Sequence, residues 1–147
     1  MTKEDKKLLF RYLSMALPYG IVVETQLINA PRAKYPVLKV LQSYMLCDFM
    51  QNIENVIHKP YLRPLASMTE EERTEINALI KQNRPSPCGK INLQGMDNLL
   101  YSVVVSSGFL IDWMFNKHFD IFDLIPKELA IAVTEENNPY STRKEKK

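Results

Sequence analysis

The chain has 147 residues, which is the length of one globular domain. Hydrophobic residues make up 46% and charged residues 24% of it, and these values argue against an intrinsically disordered chain. The net charge is +2, but residues 140–147 carry +3, so the remaining body is close to neutral. This distribution argues against a strongly basic nucleic-acid-binding face.

Cysteine content and the first residues favour a cytoplasmic protein. Cys47 and Cys88 are the two cysteines, and two distant cysteines are typical of reduced thiols, although the sequence leaves open whether they are free. Residues 1–7 are charged, and no apolar signal-peptide core follows them. The most apolar run, residues 99–115, is at the lower length limit for a bilayer span and contains Asp112. We interpret it as a core helix and expect no membrane partner.

The first predicted element is a helix from Lys3 to Leu17. Thr2 is its expected N-cap, with Asp5 in the position that completes a capping box. Pro18 and Gly20 end the helical pattern. The predicted inward residues are Leu8, Leu9, Tyr12, Leu13 and Ala16.

Three strands are predicted next, over residues 21–28, 37–46 and 53–62. Short loops between them favour an antiparallel meander. Pro60 and Pro64 are expected to confine the third strand to a sheet edge or to end it, because proline lacks the backbone donor of a ladder. Cys47 lies at the end of an apolar, strand-like run and is interpreted as a small buried hydrophobe.

Thr69 and Glu72 form the second predicted capping box, before a helix that ends near Asn83 and buries Ile76, Leu79 and Ile80. Residues 83–95 are predicted to be a loop and residues 96–117 a third helix. For residues 98–105 a strand remains an alternative, with the helix beginning at Ser106, because three consecutive valines favour strand. Residues 124–133 are predicted to form a closing turn and a short strand or helix.

These elements predict an α+β fold: a small antiparallel sheet or open barrel of three to five strands, packed with an N-terminal helix and two later helices. We expect one domain over residues 1–134 and a polar, flexible basic tail over residues 135–147.

A candidate polar cluster consists of Asp112, His118 and Asp120. His118 and Asp120 could ligate a metal together with a distant residue, but a histidine at a helix end beside a capping aspartate is the favoured interpretation. If buried, Asp112 needs a partner; otherwise it lies on the wet side of its helix. We predict no metal or cofactor and assign no catalytic residue.

Lys59, Tyr61 and Arg63 alternate, so an extended chain places them on one face. A basic and aromatic face is typical of a nucleic-acid platform or a partner contact, and equally of a solvated edge strand.

Several segments together resemble a family of small uncharacterised proteins from gut Bacteroidales bacteria and their phages or mobile elements. The segments are Leu17-Pro18-Tyr19-Gly20, Lys59-Pro60-Tyr61-Leu62-Arg63-Pro64, Ser67-Met68-Thr69-Glu70-Glu71-Glu72, Asp112-Trp113, His118-Phe119-Asp120, Leu124-Ile125-Pro126 and Leu129-Ala130-Ile131. The resemblance implies a small α+β cytoplasmic protein and assigns no catalytic residue. Two departures are the lack of a glycine near Glu128 and a longer segment before Asp112.

We therefore expect a non-enzymatic accessory or protein-interaction protein of phage or mobile-element origin, with an unknown protein partner. A homo-oligomer is compatible with the sequence. The first alternative is a nucleic-acid-binding module that uses Lys59, Tyr61, Arg63 and the basic tail. The second is a small hydrolase or transferase that uses Cys88 or His118.

Overall fold

The computed structural model describes residues 1–27, 30–34, 36–50, 56–83 and 108–141. It confirms the α+β class: helices pack with a four-stranded sheet that remains open. The elements, in chain order, are α1 (Lys3–Ala16), β1 (Val22–Leu27), β2 (Leu38–Val40), α2 (Ser43–Met50), β3 (Val56–Leu62), α3 (Glu70–Asn83), α4 (Gly108–Asn116) and β4 (Ile131–Ala132). Short 3-10 turns follow α1 and β3, at Leu17–Tyr19 and Leu65–Ser67.

The strand order is β2-β1-β3-β4, so β1 lies inside the sheet. β1 is antiparallel to both β2 and β3, as predicted for the first three strands. The predicted meander order is wrong, because a meander would place β2 in the middle; instead the chain passes through α2 between β2 and β3. β4 is parallel to β3, which makes the sheet mixed.

The second predicted strand is correct only at its start. β2 covers Leu38–Val40, and a helix begins at Ser43. The β-branched residues of this segment stop at Val40, and the leucines and methionines that follow favour a helix. The helix buries Met45 and exposes Cys47, so the prediction of a buried Cys47 is also wrong.

Pro60 lies within β3, which is an inner strand, so confinement to a sheet edge is wrong. The other alternative, that the prolines end the strand, agrees with the end of β3 at Leu62, two residues before Pro64. The Leu41 N–H donates to the Ile21 carbonyl (2.7 Å), which identifies a hydrogen-bonded pair of the β1–β2 ladder. Such pairs alternate along an antiparallel ladder, so Val23 bonds to Lys39 on the β2 side and makes no ladder bond to Pro60 on the β3 side. The nitrogen of Pro60 therefore points away from β1, so its missing N–H removes no hydrogen bond from the β1–β3 ladder. On the other side of β3, the register with β4 begins at Tyr61.

Both predicted capping boxes are confirmed. The Asp5 N–H donates to the Thr2 hydroxyl (3.1 Å), and the Thr2 N–H donates to the Asp5 carboxylate (3.0 Å). At the start of α3 the Glu72 N–H donates to the Thr69 hydroxyl (3.2 Å), and the Thr69 N–H donates to the Glu72 carboxylate (3.0 Å). Each N-cap side chain is worth about 0.5–2 kcal/mol, because it satisfies a backbone donor that the helix leaves unpaired.

One face of the sheet packs on the hydrophobic core. Val23 and Leu62 point into it, and α1, which contacts α2, contributes its predicted inward face. Four of the five predicted α1 residues are fully buried, and Leu8 packs at the margin of the core. The fully buried residues of α1 are Leu9, Tyr12, Leu13 and Ala16.

The second half of the predicted third helix is present as α4, which contacts α3. Leu110, Trp113, Met114 and Phe115 are all buried, so more than one stripe of α4 faces the core. The predicted loop over residues 83–95 and the choice between strand and helix at residues 98–105 lie outside the described residues, apart from Asn83. Within the described ranges, no helix combines the length and apolar character that a bilayer crossing requires.

The chain after α4 is held by Asp120, whose carboxylate accepts the backbone N–H groups of Leu124 (2.9 Å) and Ile125 (2.8 Å). Of the short strand or helix predicted for this segment, the strand is present as β4. Glu128, near which the resemblance led us to expect a glycine, has a φ of 58°, a left-handed conformation that favours glycine. The domain boundary after residue 134 and the flexible tail stay predictions.

Candidate functional site

The face of the sheet opposite the core, here called the outer face, carries Val22, Glu24, Leu38, Val40 and Tyr61. Glu24 is a buried carboxylate, with 1% of its surface exposed. The Tyr61 hydroxyl donates to it (2.7 Å), and Arg32 donates to both of its oxygens through Nε and Nη2 (2.8 Å each). Gln26 supplies a further donor at 2.8 Å. The carboxylate therefore holds Arg32 in place at the rim of the outer face.

The charges of this cluster are fixed near neutral pH. Burial raises the pKa of Glu24, but hydrogen bonds from Arg32, Tyr61 and Gln26 outweigh it and lower the pKa to about 2. Burial, together with the hydrogen bond to Glu24, raises the pKa of Tyr61 to about 12. Glu24 is thus ionised and Tyr61 protonated, so the cluster positions groups rather than exchanging protons.

A groove runs over the outer face in two adjoining depressions of about 570 and 480 Å³. Leu38 and Asn137 line both. The larger depression is lined by Val22, Leu38, Lys39, Val40, Glu135, Glu136, Asn137, Asn138, Pro139 and Ser141. The smaller is lined by Arg32, Ala33, Lys34, Pro36, Leu38, Tyr61 and Asn137. The groove therefore has β2 on one side, an acidic end and a basic end.

The free edge of β2 lies beside this groove. Because Lys39 and Leu41 bond to β1, alternation directs the N–H and carbonyl groups of Leu38 and Val40 away from β1. No backbone partner for these outward groups is present in the described ranges. The adjacent Val37 is 68% exposed and Leu38 40% exposed. An apolar, unpaired strand edge of this kind is able to accept another strand.

The far wall of the groove is the C-terminal strap, residues 133–141. Its first residue donates to the Leu62 carbonyl (2.8 Å). Near its end, the Tyr140 hydroxyl accepts the Val22 N–H (3.1 Å) and donates to the Tyr61 carbonyl (2.8 Å). The alternation of ladder hydrogen bonds directs the Val22 N–H towards β3. The Tyr140 hydroxyl therefore connects β1 to β3 at the end of their ladder. The Tyr140 ring stacks on His118, with 3.9 Å between ring centroids.

The predicted contact residues Lys59, Tyr61 and Arg63 are not displayed together. Lys59 is half-buried, and Tyr61 is buried against Glu24. Arg63 makes two hydrogen bonds to Glu72 (2.7 and 2.8 Å) and lies over the Phe119 ring. The segment that carries them instead forms the end of β3 and the start of the turn that leads to α3.

The predicted polar cluster does not converge on one point. Asp112 is exposed and accepts the Tyr19 hydroxyl (2.7 Å), as the wet-side interpretation expects. His118 Nε2 lies 3.2 Å from the Tyr19 carbonyl oxygen. Asp120 binds backbone N–H groups, and burial raises its pKa against the effect of those bonds. The described residues contain no group of three or more His, Cys, Asp and Glu side chains that could hold a metal ion.

Sequence reasoning missed a polar relay on the core face. His58 Nδ1 lies 2.9 Å from the Thr25 hydroxyl, and His58 Nε2 lies 2.5 Å from the Asp48 carboxylate. His58 is buried, whereas Thr25 is exposed. Thr25 and His58 are directly opposed across β1 and β3, a pairing that alternation could have suggested once the register was known.

Comparisons with protein-family models, with curated proteins and with solved structures give no match.

Substitution of Glu24 by Gln tests the buried carboxylate. The folded pKa of about 2 is below the ordinary 4.5, so its stabilisation is present above pH 4.5 and is lost as the pH falls through 2. We expect Glu24→Gln to lower the free energy of unfolding by about 1–3 kcal/mol at neutral pH, and by progressively less towards pH 2. Urea denaturation across this range measures it, with Glu135→Gln as the surface control. A difference in the free energy of unfolding between the wild type and Glu24→Gln that stays constant with pH would show that the ionised carboxylate is not the source of the stabilisation.

Substitution of Tyr140 by Phe tests the bridge. It keeps the ring but leaves the buried Val22 N–H and the Tyr61 carbonyl without the hydroxyl that pairs them. We expect a loss of about 1–3 kcal/mol in the free energy of unfolding. Tyr44→Phe, at an exposed position, is the matched control. Equal stability of the two variants would show that the bridge contributes nothing.

Proposed function

We propose that the protein is a non-enzymatic interaction module that binds an extended segment of another protein along β2 and its groove. The observation that carries this proposal is the outward direction of the Leu38 and Val40 backbone groups beside an open groove. A bound strand would satisfy these groups and continue the sheet.

The edge is suited to a selective and transient contact. β2 is three residues long, which limits the number of hydrogen bonds that a partner gains. Lys39 on the same strand disfavours indiscriminate edge pairing, because burying its charge is costly. The exposed Leu38 offers apolar surface in the groove. Because β2 is short and carries a charged residue, backbone pairing alone gives weak binding. A partner therefore also needs side chains that fit the groove.

The nucleic-acid alternative has less support. Tyr61 is 2% exposed and offers no ring face for base stacking. Arg63 is engaged by Glu72, and the basic residues of the tail lie outside the described residues. That alternative stays a prediction. The hydrolase or transferase alternative through Cys88 or His118 also stays a prediction. Cys88 is not described, and His118 stacks on Tyr140 with its Nε2 3.2 Å from the Tyr19 carbonyl oxygen.

A proline substitution in β2 tests the proposed function. Seven-residue random peptides are selected on the protein, and the affinity of the best binder is measured by fluorescence polarisation. Val40→Pro removes an outward donor and spares the bonds to β1, so it should weaken binding about tenfold while the protein stays folded. Val40→Thr is the matched control and should bind nearly normally. Failure to select a binder, or a binder indifferent to Val40→Pro, would contradict the proposal.

A second candidate function is acyl transfer through Thr25, favoured by the 2.9 and 2.5 Å distances of the Thr25–His58–Asp48 relay. Asp48 orients the imidazole, which can accept the Thr25 proton as the hydroxyl oxygen attacks an ester carbonyl. The acyl–Thr25 bond forms, the ester bond breaks, and the proton passes to the leaving alcohol. None of these three residues lines the groove, so this candidate uses a different site and is an alternative to the non-enzymatic proposal.

Labelling with p-nitrophenyl acetate tests this candidate. We expect acetyl-Thr25 in the peptide map and a p-nitrophenol release that Thr25→Val abolishes. Thr74→Val, on an exposed face of α3, is the control and should leave the release unchanged. Acetylation spread over surface hydroxyls without preference for Thr25 would overturn the candidate.

A further inference from the structure

The groove has a fixed charge direction relative to β2. Its smaller depression includes Leu38 but not Val40, and it carries Arg32 and Lys34. Its larger depression extends to Val40 and carries Glu135 and Glu136 against one lysine, Lys39, so its formal charge is negative. The basic end therefore lies at the start of β2, and the acidic end lies at its finish.

At the basic end, Arg32 keeps one donor group available to a partner. Arg32 uses Nε and Nη2 on Glu24, and Nη2 also reaches the Tyr61 hydroxyl at 3.3 Å. Its Nη1 group has no hydrogen-bond partner in the described residues, and the side chain is 55% exposed. A carboxylate arriving in the smaller depression can accept from Nη1 without displacing Glu24.

The acidic end is built from the strap. Glu135 and Glu136 are both exposed and lie between the two anchored points of the strap, Val133 and Tyr140. Both residues line the larger depression, which Val40 also lines. A Lys or Arg side chain that arrives there gains charge complementarity.

A strand added antiparallel to β2 runs from the Val40 end to the Leu38 end. Its residues opposite Val40 and Leu38 are two positions apart and place their side chains on the outer face, beside these two residues. Its earlier residues then lie at the acidic end and its later residues at the basic end.

From this geometry, and resting on the proposed function, we infer that the partner is an extended protein segment with a fixed order of side chains. A basic residue comes first, two apolar residues at alternate positions follow, and an acidic residue or a terminal carboxylate comes last. The segment adds antiparallel to β2, with its basic side chain at Glu135 and Glu136 and its acidic group at Arg32 and Lys34.

Two peptides of identical composition test the inference: acetyl-KTVTVTE-amide and its charge-swapped form, acetyl-ETVTVTK-amide. We expect the first to bind about fivefold tighter or more in about 20 mM salt, and the difference to shrink in about 0.5 M salt as the charges are screened. The triple variant Lys34→Glu, Glu135→Lys, Glu136→Lys should reverse the preference. Arg32 is left intact in this variant, because it holds Glu24.

The outcomes separate the inference from the proposed function. If both peptides bind equally and Val40→Pro weakens both, the charge order is overturned while edge binding stands. If the swapped peptide binds better, the assigned direction is overturned. If neither binds while selected peptides bind at Val40, the side-chain order is wrong. Sedimentation that shows a dimer lost on Val40→Pro would identify a second copy as the occupant and overturn the inference.

Discussion

Hydrogen bonds alternate in direction along the antiparallel ladders of β1, and this alternation decides what lies on each side of the strand. One bond, from the Leu41 N–H to the Ile21 carbonyl, sets the phase of the β1–β2 ladder. The same phase leaves the nitrogen of Pro60 where no donor is needed and aims the Val22 N–H at β3. It also turns the backbone groups of Leu38 and Val40 outward. The core strand, the strap and the open edge are therefore consequences of one register.

The two faces of the sheet differ because that register separates their side chains. Val23 and Leu62 enter the core, whereas Glu24 and Tyr61 lie on the outer face, where a charged cluster takes the place of apolar packing. A buried carboxylate with four hydrogen bonds is held firmly, since losing any partner leaves a buried acceptor with an unmade hydrogen bond. This carboxylate holds Arg32 at one end of the groove, while Tyr140 holds the strap along the other side. Hydrogen bonds of the folded chain therefore fix the position of the groove.

Local signals in the sequence predict the local parts of this structure. The Thr2–Asp5 and Thr69–Glu72 boxes span four residues each and appear as predicted, because their energy depends only on nearby atoms. The absence of β-branched residues after Val40 indicates a helix. The continuous apolar run nevertheless led to the prediction of a strand. The sequence also favoured the α+β class correctly, because helical and strand-like periodicities occupy separate segments.

The candidate site depends on contacts that sequence spacing does not encode. Tyr61 reaches Glu24 across 37 positions, and Tyr140 reaches the Tyr61 carbonyl across 79. Alternation placed Lys59, Tyr61 and Arg63 on one side of an extended chain, but it could not show that Glu24 and Glu72 engage two of them. Asp48 and His58 belong to different elements, so their pairing also required the tertiary fold.

Amide hydrogen exchange along β2 tests the central claim most directly, because it reads the ladder phase residue by residue. We expect rapid exchange at Leu38 and Val40, whose N–H groups face outward, and slow exchange at Lys39 and Leu41, whose N–H groups bond to β1. Equal protection at all four amides, or protection at Leu38 and Val40 in place of Lys39 and Leu41, would contradict the open edge and the function proposed for it.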